Sequence, residues 1–203
     1  ALLAALGVPG PTGEGYPFPA TSQLLPAPTP AAVVRRLVGQ FRKRTSAKFD
    51  ADRRAREAAG LPARTAHEVV TLASVVEREA RLPEEQPIIA GVFHNRLVDP
   101  TFRPHRLQSD PTASYGCLIL PELAATCRDF DGKRITPAML RDADNPYNTY
   151  RHDGLPPGPI ANPGLSALKV ALSPAQHCYF YYVAKSGGRH GLGATLGEHN
   201  QNI

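Results

Sequence analysis

The sequence predicts an α+β domain in which helices form the core and a small antiparallel sheet lies near the C-terminus. Two stretches, 65–80 and 83–97, carry apolar residues at the three- and four-residue spacing of amphipathic helices. A third stretch, 179–184, reads YFYYVA and is followed by a Gly-Gly turn and a second short strand from Arg189. With 203 residues, 42% of them apolar, the chain can bury a core of its own. We therefore expect a single domain over 1–203.

The first thirty residues are rich in glycine and proline, which favour extended segments and turns. We expect 1–30 to wrap around the domain. Thr29 and Pro30 then have the order of an N-cap and a first-turn proline, and they begin a helix that ends in the basic run 42–44. A separate helix is expected over 50–59, where a glycine follows it.

The helix over 65–80 carries the main functional prediction. Thr65 and Glu68 have the spacing of a capping box, which predicts that the helix begins here. Glu77 borders its apolar stripe, where a carboxyl loses hydration of its charged form and can keep a proton to donate near neutral pH. Arg81 lies four residues on, so an ordinary surface ion pair is the alternative interpretation.

Polar residues with less obvious structural roles follow. Asn95 lies near the end of the helix over 83–97. Asp110 and the next proline resemble an N-cap and first-turn pair of a short helix that runs to Tyr115, so we interpret Asp110 as structural. Gln108 has no comparable structural explanation.

The segment 145–164 changes the character of the chain, because five prolines and several glycines leave no room for a regular element. It is expected to be a long ordered loop. Tyrosine rings and amides are suited to binding a sugar face, so Tyr147, Asn148, Thr149 and Tyr150 are predicted to line a cleft. A loop that only caps the domain is the alternative. A short helix is expected over 165–172, and a terminal helix from Glu198.

Composition narrows the class of function. A net charge of +5 suits an acidic partner, but no zinc-finger spacing or RNP-like aromatic pattern is present, so nucleic acid is not the expected ligand. No apolar run approaches the roughly 20 residues of a membrane helix. The seven histidines have no HxxH or HxxxH pairing, so we predict no metal site and no cofactor.

Six motifs occur in the order and approximate spacing found in the YceG-like endolytic murein transglycosylases, and the chain resembles this family from about Gly13 to its end. They are LASVVERE (72–79), FHNRL (93–97), RLQSDPT (106–112), PYNTY (146–150), GLPPGPIANPG (154–164) and EHN (198–200). The resemblance implies a catalytic domain with lysozyme-like helices, preceded by a LysM-like part and one transmembrane anchor. Because this chain lacks both and has no initiator Met, we expect it to be a fragment whose full-length protein is anchored at the periplasmic face of the bacterial inner membrane.

The resemblance also implies a reaction and a site. It places the catalytic acid at Glu77, with Glu79 as the rival, and the acid would act twice. It would protonate the oxygen between N-acetylmuramic acid and N-acetylglucosamine, and its carboxylate would then take the proton of the muramic C6 hydroxyl, closing a 1,6-anhydro ring. Asp110 and Glu198 are expected to be structural. The residues expected to bind substrate are Asn95, Gln108, Tyr147, Asn148, Thr149 and Tyr150.

Two other functions stay open. A hydrolytic muramidase would use the same acid with water as the nucleophile, and a non-catalytic peptidoglycan-binding scaffold would only recruit other proteins. Support for the scaffold is limited to the altered early motif EGYPFPATS (14–22). The resemblance implies two kinds of partner, peptidoglycan strands and cell-wall synthases. The strands would be cut internally, which would end their elongation.

Three cysteines complete the predictions. Cys117 and Cys127 bracket a loop that looks longer than in the family, and we predict a disulfide between them in an oxidising compartment. Cys178 is predicted to be a buried thiol in or beside the strand.

Overall fold

The structure is a computed structural model that describes residues 1–10, 12–21 and 27–203. Within these residues it contains helices and one two-stranded antiparallel sheet, which confirms the predicted α+β class. The helices are α1 (Leu2–Ala5), α2 (Pro30–Ala58), α3 (Ala66–Glu79), α4 (Gln86–Val98), α5 (Asp110–Ile119), α6 (Pro137–Arg141), α7 (Leu165–Leu172) and α8 (Leu196–Asn202). The strands are β1 (Tyr181–Ala184) and β2 (His190–Gly193).

Helix α3 lies at the centre of the core. Thr65 is its N-cap, and both hydrogen bonds of the predicted capping box with Glu68 are present. All residues from Val69 to Val76 are buried, since α3 packs against α4, α5 and α7 on different sides. A helix buried over two full turns holds the side chains at its C-terminal end in a fixed position.

Helix α2 corrects the first part of the sequence prediction. It runs without a break from Pro30 to Ala58, where two separate helices were expected. Residues 45–59 contain no glycine or proline. The Thr45 hydroxyl donates a hydrogen bond of 2.9 Å to the Phe41 carbonyl without interrupting the helix. Basic residues are good helix formers, so nothing local stops the helix.

Helices α4 and α5 begin at other residues than predicted. α4 begins at Gln86, because the residues from Pro83 form a separate turn. Ser109, and not Asp110, is the N-cap of α5, and no side chain caps that helix. Asp110 therefore lies inside the first turn with its carboxylate free to point elsewhere, so its interpretation as an N-cap is wrong. α5 also extends to Ile119, beyond the predicted end at Tyr115.

The C-terminal elements agree closely with the sequence. α7 has the predicted bounds, and β1 and β2 pair in a hairpin with Tyr181 opposite Gly193 and Ala184 opposite His190. α8 begins at Leu196, two residues before the predicted start. It packs on the hairpin, so hairpin and helix together form one wall beside α4.

The N-terminal segment packs on the core where it is described. Tyr16 and Phe18 are buried in the main hydrophobic cluster. α1 is a short helix where extended chain was expected. Ser22, part of the altered early motif, lies outside the described residues. In the part of the chain that the structure covers, no helix is both long enough and apolar enough to cross a membrane.

The cysteine predictions have different outcomes. Cys117 and Cys127 form a disulfide that joins the end of α5 to the following loop, as predicted. Cys178 is an exposed free thiol, and its predicted burial is wrong because it precedes β1 in an irregular segment at the surface.

Candidate functional site

A cleft of about 450 Å³ opens where α3 ends. Its floor comes from α3 and α4, one wall from the start of α5 and the loop after α6, and the other wall from the hairpin and α8. Its lining residues are Glu79, Arg96, Gln108, Asp110, Tyr150, Tyr181, Tyr182, Val183, Ala184, His190, Leu196 and His199. Aromatic rings beside charged and amide groups are what a carbohydrate site requires.

Glu79 is the carboxyl at the floor of this cleft. The Ser109 hydroxyl donates to its Oε1 at 2.5 Å, and the Tyr182 hydroxyl lies beside it. Part of the side chain faces the cavity while protein atoms surround the remainder. The carboxyl is therefore held in one orientation and can still reach a ligand.

Burial raises the pKa of Glu79 above its ordinary value of 4.5. Hydrogen bonding from Ser109 and Tyr182 opposes this shift, the negative charge of Asp110 adds to it, and the positive charge of Arg96 reduces it. The net direction is upward, so the carboxyl keeps its proton to higher pH than an exposed glutamate. This is the property that a general acid needs.

Glu77 lies outside the cleft. Its Oε2 accepts a hydrogen bond of 3.2 Å from the backbone N-H of Gly164, the N-cap residue of α7. A carboxylate at a helix N-terminus is favoured by the helix dipole. The geometry thus gives Glu77 a structural contact, and it places its rival Glu79 where a substrate could be protonated.

Two of the six predicted binding residues line the cleft. Gln108 does so with a positive φ of 54°, a conformation that costs free energy outside glycine and often occurs at functional sites. The Tyr150 hydroxyl donates a hydrogen bond of 2.7 Å to Asp110 Oδ1. Burial is the main cause that raises the Tyr150 pKa above its usual range, and the hydrogen bond to Asp110 adds to it. Asp110, interpreted from sequence as structural, therefore belongs to the cleft wall.

The other four predicted residues support the site from behind. Asn148 is fully buried, and its amide donates to the carbonyls of Met139, Leu140 and Asp142. The Thr149 hydroxyl accepts from the Ser109 N-H at 3.1 Å.

Asn95 and Tyr147 also lie away from the cleft lining. Asn95 donates its amide to the carbonyls of His177 and Tyr179, and the Tyr147 ring packs edge-on against Tyr115 at 5.1 Å. The Asn95 amide and the Tyr147 ring thus contact other parts of the protein, and neither side chain lines the cleft.

Three functional candidates were missed in the sequence. Arg96 is buried at 4% exposure and donates to the carbonyls of Leu107 and Phe180. His190 and His199 line the hairpin wall. Arg96 was visible as a charge within an apolar helix and His199 as part of the EHN motif, whereas His190 carried no comparable signal. Among the described residues, no group of three or more His, Cys, Asp or Glu side chains could hold a metal ion.

Comparison with known proteins gives a consistent result. The profile described as the YceG-like family matches residues 2–203. A Bacillus subtilis protein named endolytic murein transglycosylase is 34% identical over 190 residues, which cover 93% of this chain and 46% of that protein. A Streptococcus pneumoniae protein of the same name is 28% identical over 191 residues, covering 94% of this chain and 31% of that protein.

A crystal structure of a YceG-like protein from Listeria monocytogenes has a similar fold. It superposes with a TM-score of 0.74 at 31% identity, over 92% of this chain and 54% of the Listeria chain. The present chain therefore spans about half the length, or less, of these relatives.

Proposed function

The chain belongs to the YceG-like family, and on that basis we propose that it is the catalytic domain of an endolytic murein transglycosylase. The observation that carries the proposal is Glu79, a carboxyl with a raised pKa at the floor of an aromatic and polar cleft. The names of the Bacillus and Streptococcus relatives support the same activity. The substrate is the glycan strand of peptidoglycan, cut between N-acetylmuramic acid and N-acetylglucosamine.

Glu79 is the general acid of this reaction, in place of the Glu77 favoured from the sequence. Its raised pKa lets it keep a proton to higher pH than an exposed glutamate. It gives this proton to the glycosidic oxygen, and the leaving sugar departs through an oxocarbenium-like state. The Ser109 hydroxyl at 2.5 Å then stabilises the carboxylate that forms. The C6 hydroxyl of the muramic residue, already tethered to the reacting carbon, attacks that carbon, gives up its proton to a base of the cleft and closes the 1,6-anhydro ring.

Gln108, Asp110 and Tyr150 hold the sugars on the wall opposite the hairpin. The Tyr150 ring offers an apolar face, and its hydrogen bond to Asp110 fixes the ring and one carboxylate oxygen together. Asp110 Oδ2 and the Gln108 amide supply polar groups for hydroxyls and acetamido groups. Binding along an open cleft of this kind suits cuts within a strand.

A hydrolytic muramidase is the second candidate, and Asp110 is the observation that favours it. If Asp110 were only a helix cap, as the sequence suggested, no second carboxylate would lie near the acid. Asp110 in fact lines the same cleft as Glu79, and two carboxyls flanking a glycosidic bond are the usual arrangement of a glycoside hydrolase. The choice of product therefore has to be tested directly.

Mass spectrometry of digested glycan strands is that test. The proposed function predicts products that end in 1,6-anhydro-N-acetylmuramic acid, with long and short fragments early in the digest. Reducing muramic ends, each heavier by one water, would establish the muramidase instead. A protein that binds strands and cleaves none would be the non-catalytic scaffold.

The biological setting is part of the same proposal. The domain acts outside the cytoplasm at the periplasmic face of the inner membrane, anchored through the full-length protein, and it ends strand elongation beside cell-wall synthases. The Cys117–Cys127 disulfide supports an oxidising compartment. Protease accessibility in spheroplasts tests the location: an anchored periplasmic domain is degraded, whereas a cytoplasmic one survives.

A further inference from the structure

A carboxylate at the start of α4 forms a close pair with an imidazole in the hairpin wall of the cleft. His190 Nδ1 lies 2.5 Å from Glu85 Oε2, and the His190 backbone N-H donates 3.2 Å to the other carboxylate oxygen. The side chains are only 8% and 13% exposed. Both oxygens of Glu85 thus hold one residue, which fixes the position of its ring.

Helix stability alone does not account for this use of Glu85. It is the N-cap residue of α4, yet it makes no side-chain cap hydrogen bond there. A carboxylate near a helix N-terminus is favoured by the helix dipole, and free backbone N-H groups of α4 lie there. Both hydrogen bonds of the Glu85 carboxylate instead go to His190, 105 residues away in the sequence.

The oriented imidazole contacts a residue that also contacts the proposed acid. Its ring packs edge-on against Tyr182 with centroids 5.4 Å apart, and the Tyr182 hydroxyl lies beside Glu79. When Nδ1 holds its proton against a carboxylate, Nε2 is the free acceptor of the ring. A carboxylate that orients a histidine for proton transfer is a recurrent arrangement in unrelated enzymes.

The other proton acceptors in the cleft are less well prepared. Asp110 accepts the Tyr150 hydroxyl and is exposed. The Nδ1 atom of His199 has no hydrogen-bond partner among the described residues, so nothing there fixes its tautomer. Glu79 could act twice, but its Oε1 already accepts the Ser109 hydroxyl.

We propose that His190, oriented by Glu85, is a further catalytic residue that accepts the proton of the attacking hydroxyl. This deepens the proposed function and depends on it. As the C6 oxygen bonds to C1, the C1 bond to the leaving oxygen breaks, the Glu79 proton passes to that oxygen, and the C6 hydroxyl proton passes to His190 Nε2. Water then carries a proton from the imidazolium to the Glu79 carboxylate, which restores both groups.

The experiment measures kcat and KM on purified glycan strands for His190→Gln, His190→Ala and Glu85→Gln. General-base catalysis typically contributes about 10²- to 10⁴-fold, so His190→Gln should lower kcat at least about 100-fold with little change in KM. Added imidazole should restore part of the turnover of His190→Ala. Glu85→Gln should have a smaller loss in kcat. His152→Gln, in an exposed loop, is the matched control.

Folding and tautomer are checked separately. Circular dichroism and thermal melts identify variants that fail to fold, and ¹⁵N NMR of the wild-type domain should show the His190 proton on Nδ1. Full turnover of folded His190→Gln, a loss confined to KM, or a proton on Nε2 would each overturn the inference and leave Glu79 acting twice. Intact strands after wild-type treatment would instead refute the proposed function, and the NMR result would still test the pair.

Discussion

Replacing Glu79 with glutamine tests the central assignment, because the amide keeps the shape of the side chain and cannot donate the proton. Its Oε1 can still accept the Ser109 hydroxyl, which lies 2.5 Å away in the native protein. The loss of a general acid lowers turnover by about 10²- to 10⁴-fold. We expect Glu79→Gln to lose at least this much turnover and to bind strands as the wild type does.

The same substitution should change stability in a pH-dependent direction. Because burial raises the Glu79 pKa above 4.5, the folded state binds this proton more tightly than the unfolded chain. The stabilisation from this carboxyl is therefore complete below pH 4.5 and is lost as pH rises through the raised pKa. Each pKa unit is about 1.4 kcal/mol, or roughly 3 to 5 °C in Tm for a domain of this size. The Tm of Glu79→Gln minus the Tm of the wild type should thus be larger at pH 8 than at pH 4.

The control is Glu77→Gln, the same change two residues earlier on the same helix. Its oxygen can still accept the Gly164 N-H, so the expected cost is below about 1 kcal/mol and cleavage should persist. Product release from labelled strands and melts at the two pH values measure both effects. Turnover retained by Glu79→Gln and lost by Glu77→Gln would return the acid to Glu77 and refute the argument from the cleft.

Three further changes test other parts of the structure. Replacing Cys117 and Cys127 with serine opens the loop of sequence separation 10, which should lower stability by about 3 kcal/mol in chemical denaturation, and three titratable thiols in the oxidised wild type would contradict the bond. Asn148→Ala removes a buried amide that donates to three carbonyls, so unfolding free energy should fall by about 2 to 4 kcal/mol, and an unchanged midpoint would show that these carbonyls find other partners. Tyr150→Phe keeps the ring and removes the hydroxyl that donates to Asp110. It should weaken strand binding severalfold with the fold intact, and wild-type affinity would exclude this contact from the site.

Local signals in the sequence were sufficient for most helices and for the hairpin. The capping box at Thr65 and the bounds of α7 were predicted because they depend on neighbours within four residues. The prediction of two helices in place of α2 is wrong because a basic run does not end a helix without a helix-breaking residue beside it. The fold class followed from these local patterns.

The acid could not be chosen from the same information. Glu77 and Glu79 lie on opposite flanks of one apolar stripe, and helical periodicity ranks both as borders of the core. The choice depends on Ser109 and Tyr182, which are 30 and 103 residues away along the chain from Glu79 and reach it only after folding. Asn148 shows the same limit. Its amide was expected to bind substrate, whereas in the folded protein it donates to three backbone carbonyls.

Arg96 joins the two walls of the cleft, and its position indicates which residues can be substituted without disturbing Glu79. Arg96 donates to the Leu107 carbonyl beside Gln108 and, at 2.7 Å, to the Phe180 carbonyl beside β1, so one buried side chain on α4 fixes both walls to the floor. Gly191 lies farther along the hairpin, where an added Cβ would come within 2.9 Å of Lys185 and 3.3 Å of Asn202. A larger residue there must move the Lys185 or Asn202 side chain, and neither movement passes through Arg96. Substitutions at Gly191 should therefore alter the rim of the cleft and the sugars it accepts, while Glu79 and its contacts stay unchanged.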